Sequence, residues 1–525
     1  MDPCPPRSLW PRDNFITDPH DSCGDPHADS IADPKHRLLE PNERSLLAIL
    51  SVVIPSILPM ILLVTSWQLW YIYNVNCRDQ TCKLPLPPGS MGLPVIGETL
   101  NLVLMGAKFY KQRLKSYGNV FKTHILGNPT IRVVGAKNIR KILLGEHSLV
   151  TAYWPKSVRT LMGAGTVTHA MGDTHRLRRK VILKAFTHKA LSSYVGAVQD
   201  VTRSYIQKWC QQGYVFGYPE CKSMTFKTAC RVLVGFKVSE KEHQHLLRTF
   251  GEFTDSLFSL PFNVPGSGFN KGLHARQKLL SKIEECLHRR REEGGGFDAL
   301  SLMMGIEGEE KLTLDELKDV GLELLFAGHA TCASAASSLL THLAKNKHVV
   351  DRITEELKCH GLDEDDRELT LEKIGQLKYV SNVVKEVLRL APPIGGGFRK
   401  ALKTFEIDGY QIPKGWTVAF SIRETQELTE IFSESDRFNP DRWNSVSDDR
   451  FHYVPFGGGS RTCAGKELAK LMLKIFAIEL ARNCTWRLLN ESSKMKYIPV
   501  PYPVDGLPVH FSQISKTKRP RAFTW

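Results

Sequence analysis

The feature that most narrows what this chain can become is a ten-residue pattern inside residues 455–476, PFGGGSRTCAGKELAKLMLKIF. Phe456, Gly459, Arg461, Cys463 and Gly465 fall in the order FxxGxRxCxG. Glycines at 457 to 459 and at 465 let the backbone turn tightly enough for amide N–H groups to point at sulfur, and Phe456 adds an apolar shield. The thiolate, not the thiol, is the nucleophilic and metal-ligating form of cysteine, and it needs such shelter from water and oxidants. The stretch KELAKLMLKIFAIEL then has helical amphipathic spacing, so the positive end of a helix dipole sits behind the sulfur. A structural cysteine in a glycine-rich turn is the plain alternative for Cys463, but it leaves the other four positions unexplained. Chance alone places this pattern in roughly two of ten thousand chains of such composition.

Composition bounds the rest. With 525 residues, 42% hydrophobic and 24% charged, the chain can bury a large core. Its formal net charge of +15 is spread along the sequence and not gathered into a basic arm, which favours an acidic protein or a lipid headgroup surface over nucleic acid. The 12 cysteines are irregularly spaced with no CxxC pair, which excludes a small secreted disulfide framework and a zinc ligand set and implies a reducing compartment. No Walker A loop and no GxGxxG after a strand is present, so the chain carries no nucleotide domain of its own.

Four segments follow from charge and proline content. Residues 1–44 are rich in Pro and Asp and read as a disordered tail, too acidic for a mitochondrial presequence. Residues 45–77 hold no charge between Arg44 and Arg78 and read as a transmembrane helix, with Trp67, Trp70, Tyr71 and Tyr73 at its interfacial end. Residues 78–97 form a proline-rich hinge. Residues 98–525 form one mainly α domain with a minor β sheet: FKTHILG and TIRVVG read as a hairpin, amphipathic helices dominate to about residue 390, and TFEIDGYQIP and TVAFSI read as strands. The segment TLDELKDVGLELLFAGHATCASAASSLLTHLAKN opens on a Thr313/Glu316 capping box and reads as one long apolar helix.

The cysteine loop is similar to the haem-binding signature of the cytochrome P-450 superfamily, and further motifs stand in that family's order. Glu386 and Arg389 in KEVLRLAPP share a helix face at i, i+3 and resemble the family's ExxR pair, which would join Arg442 in FNPDRW. AGHAT resembles the centre of the helix that crosses above the haem, with Ala330 in place of the usual acid before Thr331. The resemblance implies haem b with Cys463 as its axial iron ligand, Phe456 against the porphyrin, and Arg461, Arg179, His175 and Arg399 as propionate partners. His175 stands where the family's WxxxR pair has tryptophan. Thr331 would support protonation during oxygen activation.

Within that superfamily, LPLPPGSMGLPVIGETL, LLGEHSLV, YWPKSVRTLMG, LFSLPFNVPGSGF and APPIGGGFRKALKTFEIDGYQIPKGW look like the retinoic acid hydroxylases. The implied substrate is a long apolar acid, lodged in a tunnel lined by Trp154, Phe258, Phe326, Ile394, Gly395 and Phe398, with Arg132 or Arg159 holding its carboxylate. Electrons would come from NADPH through a reductase docking on Lys466, Lys470, Lys474 and the basic residues Arg176, Arg178 and Lys180. The endoplasmic reticulum membrane, with a single span and a cytosolic domain, is the expected location. The alternatives are a sterol or fatty acid hydroxylase on the same fold, a non-catalytic haem or retinoid binder, and a haem-thiolate isomerase or peroxide-driven oxidase needing no reductase, which Ala330 makes possible.

Overall fold

The computed structural model describes residues 41–76, 78–94, 96–294, 296–364, 368–445, 451–497 and 500–514, so residues 1–40 of the expected tail lie outside the described residues. The chain divides into two compact units, Met1–Thr65 and Ser66–Trp525. Helix α1 (Pro41–Asn76) covers the uncharged run and keeps its helical course through Pro55 and Pro59. Met60, Leu62, Leu63 and Val64 on it are exposed. The helix among the described residues that is long and apolar enough to cross a membrane is another one, Leu314–Lys345, whose apolar window is 67% buried inside the protein. The apolar stretch of α1 among the described residues, Ile57–Tyr73, is shorter.

The proline-rich segment is seated on the domain and does not run free as a spacer. Lys122 N–H donates to Pro88 O at 2.8 Å and Gln411 N–H to Pro85 O at 2.9 Å. Prolines lack a donor but keep a carbonyl, so an all-acceptor strip suits them. The hairpin read from sequence is β1 (Val120–Ile125) paired antiparallel with β2 (Asn128–Val133). Beyond it come α2 (Ala136–Leu144), β3 (Val150–Ala152), α3 (Gly172–Lys184), α4 (His188–Gln212) and α5 (Gly217–Ala229). Later elements are α6 (Leu314–Lys345), α7 (Lys378–Leu390), β4 (Gly396–Ala401), β5 (Thr417–Ser421) and α8 (Lys466–Asn483). One five-stranded sheet runs in the order β1-β2-β5-β4-β3, with β2 and β5 parallel and the other pairs antiparallel.

Helix α6 organises the core. Its start is fixed reciprocally: Glu316 N–H donates to Thr313 Oγ1 at 3.2 Å and Thr313 N–H to Glu316 Oε2 at 3.0 Å. It is apolar on most sides, as a helix buried on most sides must be. The run of small residues Ala333 to Ser338 is buried, and α5, α8 and α7 pack along the helix. Such small side chains let neighbouring helix backbones approach closely.

Under α7 lies a cluster of three buried charges, Glu386, Arg389 and Arg442. Glu386 accepts from Arg389 Nε and Nη2, both at 2.9 Å, from Arg442 Nε at 2.9 Å, from Asn439 N–H at 2.9 Å and from Trp443 Nε1 at 3.1 Å. The remaining guanidinium donors reach the carbonyls of Ser433, Glu434, Ser435 and Arg437. Buried charges are tolerated only when each is paired and hydrogen-bonded, and here the carboxylate ties segment 433–443 to α7. Glu386→Ala leaves two buried guanidiniums facing carbonyls alone, and we expect it to cost roughly 3–5 kcal/mol of unfolding free energy. Denaturant titration checks this; a loss under about 0.5 kcal/mol contradicts the role given to the cluster.

Candidate active site around Cys463

The cysteine loop is closed by its own backbone. Cys463 N–H donates to Phe456 O at 2.9 Å, Gly457 N–H to Val454 O at 2.9 Å and Thr462 N–H to Gly459 O at 3.2 Å. Gly459 has φ +65°, and a Cβ there would stand 2.1 Å from Leu143 O of α2, so no side chain fits. Cys463 itself is exposed on one side of the loop. Close packing on its other sides pushes the thiol up, and the Gly465 N–H, the Arg179 guanidinium and Lys466 oppose that shift. The amide donor aimed at sulfur, expected from the glycines, is the one from Gly465.

Three arginines from three elements converge beside the loop. Arg461 Nε meets Glu146 Oε1 at 2.6 Å, and its Nη2 donates to Ala170 O at 2.7 Å. Arg399 on β4 ion-pairs through Nε with the other oxygen of Glu146 at 2.9 Å. Arg179 on α3 donates to Thr462 O. One carboxylate, Glu146, thus pairs with two of the guanidiniums, Arg461 and Arg399, while Arg179 stands on the cysteine side of the loop. Two imidazoles complete the cluster: His147 and His175 lie 5.2 Å apart between ring centroids, and His147 Nε2 and His175 Nδ1 are buried without hydrogen-bond partners. Burial, with Arg461, His147 and Arg179 nearby, pushes His175 down to about 4.

Helix α6 brings Thr331 to the same region. Cys332, next to it, is close enough to Cys463 to feel its charge. Ala327 is exposed and Thr331 partly so, in the middle of an otherwise buried helix. Thr331 Oγ1 donates to Ala327 O at 2.7 Å. Glu323, two turns earlier on that face, accepts from Val167 N–H and Thr168 N–H at 2.8 Å and from the Thr168 hydroxyl. It fastens the 163–171 loop to α6, as does Asp319 by accepting from Gly165 N–H at 2.9 Å.

The residues expected to hold a substrate are less tightly grouped. Trp154 and Phe326 are half-buried against the main core. Ile394 and Phe398 are exposed beside Gly395 on and before β4, and Phe258 is exposed on a loop with Leu260, Phe262 and Val264. Arg159 is exposed at the end of the short helix Lys156–Met162. Arg132 is buried, donates to Glu424 Oε2 at 2.9 Å and covers the Tyr110 ring at 4.1 Å. The expected basic docking face is also largely paired: Arg176 with Asp173, Arg178 with Glu316, Lys180 with Glu310 and Lys470 with Glu467. Glu146, His147, Glu323 and Asp319 were not singled out from sequence. Their only signal there is an acid or histidine set within an apolar stretch.

His329 on α6 is buried, 3.3 Å from Thr225 Oγ1 through Nδ1, and burial pushes it from 6.5 to about 3. A histidine held neutral when folded binds fewer protons than the unfolded chain, so its share of stability is complete above pH 6.5 and is lost as pH falls toward 3. We expect the pH slope of unfolding free energy between pH 6.5 and 4 to be shallower in His329→Gln. An unchanged slope in denaturant titrations contradicts that placement.

Comparison with known proteins adds a family. The model described as Cytochrome P450 matches residues 87–501. Cytochrome P450 26A1 of Gallus gallus is 46% identical over 471 residues, covering 87% of this chain and 96% of that protein. Cytochrome P450 26B1 of Homo sapiens is 44% identical over 483 residues, covering 89% of this chain and 94% of that protein. The solved structure "Retinoic acid bound cyanobacterial CYP120A1" superposes with TM-score 0.76 at 35% identity, over 82% of this chain and 100% of that one.

Proposed function

Because the chain belongs to the cytochrome P450 family, we propose that it is a monooxygenase that hydroxylates retinoic acid with O2 and electrons passed from NADPH by a reductase. The observation that carries the substrate is the match, over 82% of this chain and all of the other, to a structure bound to retinoic acid, alongside relatives that cover 87% and 89% of this chain.

Haem fits the residues present. A thiol on a glycine loop, three guanidiniums of which two share a single carboxylate, and two buried imidazole nitrogens without partners suit a flat group with an iron and two carboxylates. Cys463 would ligate the iron, Arg179, Arg399, Arg461 and His175 would hold the propionates, and Phe456 would cover the thiolate side. When bound, haem supplies the activation of dioxygen and the insertion of an oxygen atom into a C–H bond. The chain's own residues manage protons and position. Thr331 Oγ1 spends its proton on Ala327 O, so its lone pairs face the cleft and accept a hydrogen from water. Ala330 offers no carboxyl, so a water held by Thr331 and by backbone carries the proton.

Trp154, Phe326, Ile394 and Phe398 supply apolar walls, Phe258 a mouth, and Gly395 leaves room beside them. The same reading divides the chain into the tail 1–44, an anchor 45–77 and the catalytic domain 98–525, with the proline-rich segment 78–97 seated on that domain. The uncharged run and the exposed apolar side chains of α1 support a single span, in the endoplasmic reticulum with the domain in the cytosol, where lipid and reductase are both available.

Ala330 is the observation that favours peroxide-driven chemistry as the second reading. Retinoic acid turnover measured with NADPH and reductase against peroxide alone separates the two. We expect product only with the reductase, and Thr331→Ala to lower product per NADPH roughly 10²-fold. Equal turnover with peroxide alone contradicts the proposal.

A further inference from the structure

We infer that Arg423 is the cation that receives the substrate's carboxylate. The assignment rests on the retinoic acid reading above and names the group at that site which fixes the orientation of the acid.

Of the cations expected in this role, Arg132 is already engaged: its charge is met by Glu424 at 2.9 Å and its face by the Tyr110 ring. Arg159 stands exposed on a short helix, where water screens it. Arg423 differs from both. Its guanidinium lies over the Tyr497 ring at 4.3 Å and has no ion pair or side-chain hydrogen bond among the described residues. The neighbouring carboxylates are spoken for, Glu424 by Arg132 and Glu427 by Lys111 at 3.1 Å. Lys111, Arg132 and Arg423 against Glu424 and Glu427 leave one positive charge over, and it resides on the unpaired guanidinium.

Position ties that charge to the pocket. Gly395 O accepts from Ile422 N–H at 2.9 Å and Arg423 N–H at 3.2 Å, so the start of β4 and the end of β5 are clamped together. A Cβ built on Gly395 would meet Arg423 Nη2 at 3.6 Å and Cζ at 3.7 Å. The guanidinium therefore lies where a side chain at 395 would project, and any such side chain would cover it. Ile394 and Phe398 are exposed on either side, and Tyr497 supplies an aromatic flank just past the strand Met495–Lys496. A cation with apolar neighbours is the recognition set for a carboxylate on a long hydrocarbon. Burial pushes Arg423 down, the sign of a cation short of compensation, and an incoming carboxylate relieves it.

The test is equilibrium dialysis of the full-length holoenzyme with all-trans retinoic acid and with its methyl ester, whose carboxyl is masked. In the unsubstituted protein we expect the acid to bind more tightly than the ester. Arg423→Gln should weaken acid binding roughly 10- to 100-fold and leave ester binding within about twofold, so that retained ester binding reports an intact pocket. Arg423→Lys, which keeps the charge, should restore part of the preference. If Arg423→Gln retains the full preference for acid, the assignment is overturned while the retinoic acid reading stands. If the unsubstituted protein binds neither retinoid, the reading and the assignment fall together.

Discussion

One backbone hydrogen bond, from Cys463 N–H to Phe456 O at 2.9 Å, closes the loop on which the proposed chemistry depends. It fixes where sulfur sits relative to α8 and brings the Gly465 N–H to it. A thiol packed against its loop resists ionisation, and a thiolate in that place needs a donor, a cation and a metal acting together. Arg179 and Lys466 supply positive charge from outside the turn. Gly459, pressed against Leu143 O, ties the turn to α2 and denies that position any side chain.

Two buried carboxylates extend this constraint through the domain, each by binding two arginines, at least one of them from a distant part of the chain. Glu386 binds Arg389 and Arg442 and fixes the segment leading toward the cysteine loop. Glu146 holds Arg399 of β4 and Arg461 of the loop on its two oxygens, so the sheet and the cysteine loop meet at one group. Neither cluster is a cheap way to gain stability, since desolvation offsets much of the Coulomb attraction. What they contribute is position: guanidiniums that would otherwise swing freely point in set directions.

Local features were legible in the sequence because their causes are local. The Thr313/Glu316 box starts α6, the alternation of FKTHILG and TIRVVG makes a hairpin, and the glycines near Cys463 turn where a side chain would clash. Partnerships across the chain were not legible. Arg132 reads as a free cation until Glu424 is found beside it, and Arg423 carries no motif signal at all until Gly395 and Tyr497 are seen to flank it. The hinge 78–97 looked like a spacer from its prolines, because composition does not reveal that its carbonyls accept from Lys122 and Gln411. Glu146 carries no periodic or motif signal. Its role exists only once residues hundreds of positions away converge on it.

The central claim is that Cys463 presents sulfur as a thiolate to an iron porphyrin, and the reduced carbon monoxide difference spectrum of the purified full-length protein tests it most directly. The account predicts the thiolate-ligated band in the unsubstituted protein and its loss in Cys463→Ser. The same band surviving that substitution would contradict it.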